Sequence, residues 1–499
     1  MRWMPKTIVR AVIVSLGVWS ISPARADEAF FFQDDKTDLV VQQTDSADPA
    51  EAVASPASEI QELRQRLDLL EASEEARLAK ERTKAEDEKK KSAAAKSDGK
   101  PLDNVWTDVS ADKWTVRLGG HVQADYINWP YADPAITGPA ANPPARDYFE
   151  FRRLRLMAEG TGYGVYDFRL QMTLEPETTN AANGDTLIEP QVKDAYFSIN
   201  EVPWLGRLRI GNFFVPFGLE QVTNDTFNVF LERSIPTQGV FTADREVGVA
   251  AYNVSADESF TWTYGMFFDS ISESIKQRVD SNQGYRLSGR VTWLPYYDEL
   301  SNGRYLIHTG AGILHTHDQD GIARFAARPQ VRLSPRLIDS GNLAAGDYTT
   351  ANLELALVMG PVTIQSEAFA CRVNLNNDDP AHLLGAYAHL SWFLTGENRV
   401  YERFGQHGAQ FGRNVPFSNV FATASGVSLG AWEAKARWSY LDLNAVDRGQ
   451  YNDMTLGMNW YWSDRTRVMF DYIHPMTTQD TTFGSTESDI LGMRFDFNW

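Results

Sequence analysis

The chain of 499 residues carries 47 Lys plus Arg against 66 Asp plus Glu, a formal net charge of −19. So acidic a chain is excluded as a general nucleic-acid binder, whose footprint is a basic excess, and its single cysteine, Cys371, excludes an intrachain disulfide framework or a multi-cysteine metal site. No apolar run approaches the roughly 18 residues that a membrane-spanning helix needs, so residence in a bilayer would have to use strands.

Residues 1–26 read as a secretory signal: Arg2, Lys6 and Arg10 form the positive end, Ala11 to Ile21 the apolar stretch, and Ala24-Arg25-Ala26 a small-residue cleavage site. Its removal takes away four positive charges, Arg25 included, and moves the net charge from −19 to −23. Residues 27–58 mix Asp, Gln, Ser, Ala and Pro without apolar periodicity, the composition of a disordered acidic segment. Residues 59–100 read as a charged helix. Ile60, Leu63, Leu67 and Leu70 repeat with heptad spacing behind Ser58 as N-cap, over about two or three heptads, so a solvated helix and a short coiled coil both fit.

From residue 101 to 499 the period changes to two. Trp432, Ala434, Ala436, Trp438 and Tyr440 share one face of a run whose other face holds Glu433, Lys435, Arg437 and Ser439. The split recurs at 166–175, where Tyr166, Phe168, Leu170, Met172 and Leu174 oppose Asp167, Arg169, Gln171, Thr173 and Glu175, and again at 153–160, 260–267, 285–293 and 489–499. Many runs reach about 10 residues, the length a tilted strand needs to cross a bilayer and about twice that of an ordinary strand. Tight turns at Thr161 to Gly164, Gly360-Pro361 and Ser463-Asp464 alternate with long polar segments at 127–147, 212–245, 269–284 and 442–452, the arrangement of an outer-membrane barrel. Trp293, Trp392, Trp460, Trp462, Phe495, Phe497 and Trp499 fall where aromatic girdles belong. A weak run at 324–334 would make an odd seventeenth strand. The tight turns fix the strand directions and leave it no place in the wall, so it belongs to a long outer loop from about 316 to 347, and sixteen strands remain.

Motifs for chemistry are thin. Gly426-Val427-Ser428-Leu429-Gly430 matches a nucleophile elbow, but a strand follows where that motif needs a helix. His315 and His317, an alternating pair in a loop beside Asp318 and Asp320, lack a third ligand placed by spacing, and Asn376 to Asp379 before Pro380 read as a turn. No catalytic residue, metal or cofactor is expected.

The informative signal is arginine. Residues 101–499 contain 27 Arg and 4 Lys, against 7 Arg and 9 Lys in the first 100. Guanidinium stays charged, is weakly hydrated and offers a planar donor fork to phosphate and carboxylate. Parity places Arg153, Arg155, Arg169, Arg207, Arg209, Arg286, Arg290 and Arg437 on the lumen face, where a charged wall selects ions by sign. Arg324, Arg328, Arg332 and Arg336 recur every fourth residue in the long loop; folded inward they form a positive track, folded outward a solvated face. The same lumen parity carries Glu159, Asp167, Glu175, Glu354, Glu367, Glu433 and Asp471, so pairing within the wall competes with anion passage.

The segments RRLRLMAEGTGYGVYDFRL (152–170), VKDAYFSI (192–199), LRIGNFFVPFGLE (208–220), LTGENRVYERFG (394–405), GAWEAKARWSYLDLN (430–444), LGMNWYWSD (456–464) and MRFDFNW (493–499) together resemble the phosphate-selective porins of the O and P type. The resemblance implies a 16-stranded antiparallel outer-membrane β-barrel, usually a homotrimer, that passes phosphate or other small anions past lumen arginines and infolded loops. Carried over, it puts Arg153, Arg155 and Arg209 on the anion path and makes 221–245 the constricting loop. That loop holds Glu220, Asp225, Glu232 and Asp244 against Arg233 and Arg245, and lysine, which accompanies arginine in phosphate-specialised members, is scarce.

The expected protein is thus an all-β transmembrane barrel with an N-terminal helical extension in the periplasm, set in outer-membrane lipid and passing small anions, phosphate among them, by passive diffusion. A weakly selective general porin is the nearest alternative. Two others are a structural tether reaching the cell wall through residues 27–100 and, less favoured, a secreted soluble β-protein.

Overall fold

The computed structural model describes residues 114–175, 178–179, 186–187, 190–268, 284–376, 378–420, 426 and 428–499. The expected signal, acidic segment and charged helix all lie outside these residues, as does most of the connection at 269–284.

Sixteen strands close into one antiparallel barrel. They are β1 (Trp114–Tyr131), β2 (Tyr148–Gly162), β3 (Tyr166–Thr173), β4 (Gln191–Val202), β5 (Gly206–Phe214), β6 (Arg245–Val254), β7 (Phe260–Phe267) and β8 (Tyr285–Tyr297), then β9 (Tyr305–His317), β10 (Asp347–Met359), β11 (Val362–Asn374), β12 (Ala381–Phe393), β13 (Ala431–Asp442), β14 (Gln450–Tyr461), β15 (Thr466–Thr477) and β16 (Asp489–Asn498). The sequence count of sixteen is met, and 324–334 lies outside the wall.

Alternation decides the two faces. Leu353, Leu384, Trp392, Phe470 and Met493 point outward and are exposed, while their neighbours Glu354, Leu383, Ser391, Asp471 and Arg494 are buried inside. A closed sheet satisfies every backbone donor and acceptor without water, which is why strands cross a bilayer only as barrels. Closure joins β1 to β16: the Trp499 amide donates to the Gly120 carbonyl at 3.1 Å and the Gly120 amide to the Trp499 carbonyl at 3.3 Å. The Trp499 ring lies so close over Gly120 that a Cβ there would sit 2.0 Å from it, so glycine is required. At the short-turn end of β13 to β16, Trp432 stacks on Trp460 at 5.1 Å and Phe497 on Trp499 at 5.6 Å, forming an aromatic girdle.

Three connections fold into the lumen. The segment 215–244 leaves β5 and starts a helical turn at Leu219–Val222. Gly218 precedes that turn at φ 79°, where a Cβ would lie 2.8 Å from the Glu367 carboxylate. The segment 318–346 also turns inward: Gln330 is buried and donates to Asp453 on the far wall at 2.6 Å, and Phe325 packs on Phe241 and Tyr348. Of the two outcomes open to this loop in the sequence, the inward one is observed. The third is a departure. Residues 394–430 connect β12 to β13 at the end otherwise closed by tight turns, and a hairpin of Tyr401–Gly405 and Gly408–Phe411 rises into the barrel. Short turns on one side held for the other connections at that end and failed here.

Candidate functional site

The site is the lumen where wall arginines meet the infolded segments. Along β1 and β2, Gln123 pairs with Arg153 and Ala124 with Phe151, so Arg152 is the extra residue of a β-bulge. The bulge lets Arg152 join Arg153 inside, which strict alternation could not foresee. Arg152 grips Glu232 of the infolded segment with Nε to Oε1 at 2.7 Å and Nη2 to Oε2 at 3.0 Å. Arg153 Nε and Arg155 Nη1 both reach Asp225 Oδ2, at 2.9 and 2.7 Å, and Arg233 Nη2 reaches Oδ1 at 2.9 Å. Burial would push the Asp225 carboxyl up, but Arg153, Arg233 and Arg155 outweigh it and hold it well below the usual carboxylate range.

The opposite wall clamps the same segment. Arg494 chelates Asp125 with two contacts of 2.6 Å, reaches Glu232 at 2.9 Å and donates to the Leu231 carbonyl. Arg467 bridges Asp496 at 2.9 Å and the Asn228 carbonyl at 2.7 Å, and Lys435 bridges Asp471 at 2.6 Å and the Val229 carbonyl at 2.8 Å. Glu367 accepts from the Leu219 and Glu220 amides at 2.9 and 2.8 Å. The segment is therefore held by β2 on one side and by β11 and β13 to β16 on the other. The lumen residues that keep partial exposure, among them Arg152, Glu159, Asp167, Arg207, Glu246 and Arg286, lie on β2 to β8.

The eight arginines placed on the lumen face by parity divide into two groups. Six contact carboxylates. Besides Arg153 and Arg155, Arg169 lies between Asp194 at 3.1 Å and Glu159 at 3.0 Å, Arg290 chelates Glu354 at 2.8 Å twice, Arg286 contacts Glu246, and Arg437 is 3.5 Å from Glu220. Arg207 and Arg209 make no ion pair among the described residues. Arg207 donates to Asn200 at 3.1 Å and to the Gly405 carbonyl at 2.8 Å, with Phe404 beneath it. Arg209, 2% exposed, donates to Ser198 at 3.0 Å, to the Gln406 carbonyl at 2.8 Å and to His407 Nδ1 at 3.3 Å. The Tyr196 ring lies 4.1 Å from its guanidinium carbon and the Tyr252 ring 4.9 Å. His407 is thereby an acceptor, and burial, then Arg209, Arg169, Arg245 and Arg207, hold its imidazole well below the ordinary range. A third such group is Arg399, which donates to Gln365 at 3.0 Å over the Phe411 ring and makes no ion pair among the described residues.

Sequence reasoning missed Arg152, Arg399, Arg467 and Arg494. Parity within 489–499 and 466–477 would have turned Arg494 and Arg467 inward. Arg152 depends on a bulge and Arg399 on an infolded connection, and neither has a periodic signature.

The arginines of the inward loop also divide. Arg324 is exposed and pairs with Asp339. Arg328 donates to the Ser334 carbonyl at 2.9 Å, and burial followed by Arg336 and Arg332 lowers its pKa, so these three stand close together. None of the three makes an ion pair among the described residues. His315 and His317 end β9 rather than lying in a loop, and His317 is hydrogen-bonded to Asp347 at 2.9 Å. Among the described residues no set of three His, Cys, Asp or Glu is arranged to hold a metal. Asn377 and Val427 fall outside the described residues, and β13 follows Gly430.

An uncharacterized protein of Caulobacter vibrioides is 29% identical over 339 residues, which cover 65% of this chain and 62% of that protein's length. Porin O of Pseudomonas aeruginosa is 27% identical over 421 residues, 75% of this chain and 86% of its own. A solved anion-selective porin from Comamonas acidovorans is 15% identical with a TM-score of 0.47, covering 77% of this chain and all of its own. The family model for phosphate-selective porin O and P matches residues 116–499. With the closed barrel and its infolded segments, that match over most of the sequence shows that the chain belongs to the phosphate-selective porin O and P family of outer-membrane porins.

Proposed function

We propose that this porin passes small anions by diffusion along the β2 to β8 side of the lumen, with Arg207 and Arg209 supplying the positive field. The observation that carries the reading is the absence of a carboxylate partner at these two arginines among the described residues, while six of their neighbours are neutralised by one. An uncompensated cation beside an aqueous path concentrates anions, and low-dielectric walls focus that field. Arg328, Arg332 and Arg336 extend it toward the long-loop mouth. Phosphate is one candidate substrate among small anions: guanidinium forks suit it, but the partly exposed Glu159 and Glu246 interrupt the path. Those carboxylates favour a second reading, a weakly selective pore.

In the same reading the chain is exported by residues 1–26, holds residues 27–100 in the periplasm and assembles as a homotrimer. Reversal potentials across a salt gradient in a planar bilayer test the main claim. We expect anion preference that declines in Arg207→Ala and Arg209→Ala. Cation preference in the unaltered porin overturns the proposal, and near-zero selectivity supports the second reading.

A further inference from the structure

The infolded hairpin Tyr401–Gly405 and Gly408–Phe411 ends in a two-residue turn, Gln406-His407, with Gly405 paired to Gly408 and Gly408 at φ 89°. Its apex, FGQHGAQFG (404–412), contains no Asp, Glu, Lys or Arg. The wall nevertheless holds this neutral turn with arginines. Arg207 Nη1 donates to the Gly405 carbonyl at 2.8 Å and Arg209 Nη2 to the Gln406 carbonyl at 2.8 Å. Arg169 Nη1 donates to Gln406 Oε1 at 3.2 Å, Gln406 Nε2 donates to the Tyr196 hydroxyl at 2.5 Å, and Arg290 donates to the Ala409 carbonyl at 2.9 Å. Two consecutive carbonyl oxygens thus sit on Arg207 and Arg209, where the oxygens of an anion would sit.

The acids around the turn are engaged elsewhere. Asp194 lies between Arg169 at 3.1 Å and Arg245 at 2.7 Å, and Glu159 is 3.0 Å from Arg169. Asp167 accepts from Asn200 at 2.7 Å, and Glu402 of the hairpin accepts from Gln410 at 2.7 Å.

The base of the hairpin is fixed and its tip is not. Arg403 pairs with Glu299 at 2.8 Å and Glu258 at 3.1 Å, and the Tyr401 hydroxyl is 2.6 Å from His308 Nδ1. Beyond that base the apex is held by hydrogen bonds and ring contacts alone, and Phe404, Gly405 and Gln406 keep partial exposure to the lumen. A guanidinium attracts a full negative charge more strongly than the partial charge of a carbonyl. An anion arriving at Arg207 or Arg209 therefore competes with the turn for the same donors. Arg209, 2% exposed with Nε, Nη1 and Nη2 all engaged, opens to an anion only when the turn gives way.

We propose that the turn Gln406-His407 is a displaceable stopper: it occupies the donors of Arg207 and Arg209 in the resting pore, and a small anion passes by taking its place. Gln406 and His407 are then specificity-determining residues, since their anchoring sets how strongly an anion must compete. The inference rests on the reading that Arg207 and Arg209 line the anion path.

The test is amide hydrogen exchange of the peptide 401–411 in the folded full-length porin, with inorganic phosphate added at constant ionic strength against lactobionate, a bulky anion. Reversal potentials are measured on the same preparations, and folding of each variant is checked by the mobility shift on boiling. In the unaltered porin phosphate should speed exchange of that peptide about tenfold, the factor that loss of one charge-assisted hydrogen bond implies, and leave β13 to β16 unchanged. Gln406→Glu gives the turn a carboxylate of its own beside Arg169. Exchange should then be indifferent to phosphate, and anion preference should fall at least as far as in Arg209→Ala. Gln406→Gly combined with His407→Gly keeps the backbone carbonyls and removes the anchoring side chains, so exchange should be fast without phosphate. Exchange indifferent to phosphate in an unaltered porin that prefers anions overturns the proposal, and so does anion preference retained in folded Gln406→Glu. Phosphate-dependent exchange in a porin without anion preference upholds the displacement and overturns only the reading of the path on which it rests.

Discussion

Two walls of the barrel hold infolded chain by the same device and differ in what stands behind it. On β13 to β16, wall cations donate to four carbonyls within residues 228–232 of the segment 215–244: Lys435 to Val229, Arg467 to Asn228, Arg494 to Leu231 and Arg437 to Glu232. Each of these cations is also beside a carboxylate. On β5, Arg207 and Arg209 donate to the Gly405 and Gln406 carbonyls of the other infolded hairpin and make no ion pair among the described residues, Asp167 reaching Arg207 only through Asn200. The first wall is locally neutral, and its charge serves to fix a loop. The second carries a positive charge that nothing in contact cancels, so its charge can act on a passing ion. A lumen-facing arginine is thus not by itself an anion site; its partner list decides.

The largest expected break in that contrast is at Arg494. Its removal leaves Asp125 buried and unpaired and takes from Glu232 one of its three arginine partners. Breaking a buried pair from one side costs about 3 to 5 kcal/mol, so Arg494→Ala should lower the urea midpoint of the barrel markedly. It should also release the infolded segment and raise single-channel conductance. Arg494→Met combined with Asp125→Leu should recover much of the stability, because no orphaned charge remains. A cost below about 1 kcal/mol for the single change would mean that the clamped wall is not clamped by charge.

Arg209→Gln sharpens the other side. No carboxylate is orphaned when it goes, so the stability change should be clearly smaller than at Arg494, while selectivity should respond. A charge about 4 Å from an ion in a water-filled lumen contributes about 1 kcal/mol at the dielectric of bulk water, which corresponds to about a fivefold fall in the anion to cation permeability ratio. Bi-ionic reversal potentials measure it. An unchanged ratio with lost stability would move Arg209 into the same class as Arg494.

A gentler effect is expected from His407. Its folded pKa is depressed below the ordinary 6.5 by burial and by Arg209, so below that pH the unfolded chain takes a proton that the folded chain refuses. Stability then falls as pH drops below 6.5, and the slope should flatten in His407→Gln. The opposite case is Asp225, also depressed, whose contribution is complete above the ordinary carboxylate range and is lost only as pH falls through and below it. Unfolding midpoints from pH 7 to 4 should therefore report His407 and leave the Asp225 clamp intact.

These residues also mark what could be read without a structure. The wall was legible: period-two runs of bilayer length, tight turns and an even strand number led to sixteen strands and removed 324–334 from among them. Parity also put Arg207, Arg209 and Arg290 inside. It could not show that Arg290 chelates Glu354 while Arg209 meets only rings, hydroxyl and carbonyl, because their neighbours come from strands and hairpins remote in sequence. Arg152 escaped because one inserted residue reverses parity locally, and the rise of the hairpin 401–411 into the lumen contradicts the rule of short turns at that end.

The smallest effect is expected where the sequence pattern is most regular. Arg324, Arg328, Arg332 and Arg336 form one repeat, yet the fold separates the first from the rest. Arg324 has nearly half its side chain exposed, 47%, and spends its donors on Asp339 within the same loop. An exposed pair contributes about 0 to 1 kcal/mol and is screened by salt, and its charge is cancelled locally. Arg324→Ala should therefore change neither the urea midpoint nor the reversal potential measurably. Arg332→Ala, which removes a cation with no ion pair among the described residues, should shift the reversal potential toward that of a non-selective pore. If the two changes act alike, position along the loop rather than pairing sets the effect, and the contrast between the paired and unpaired walls fails at the mouth of the pore.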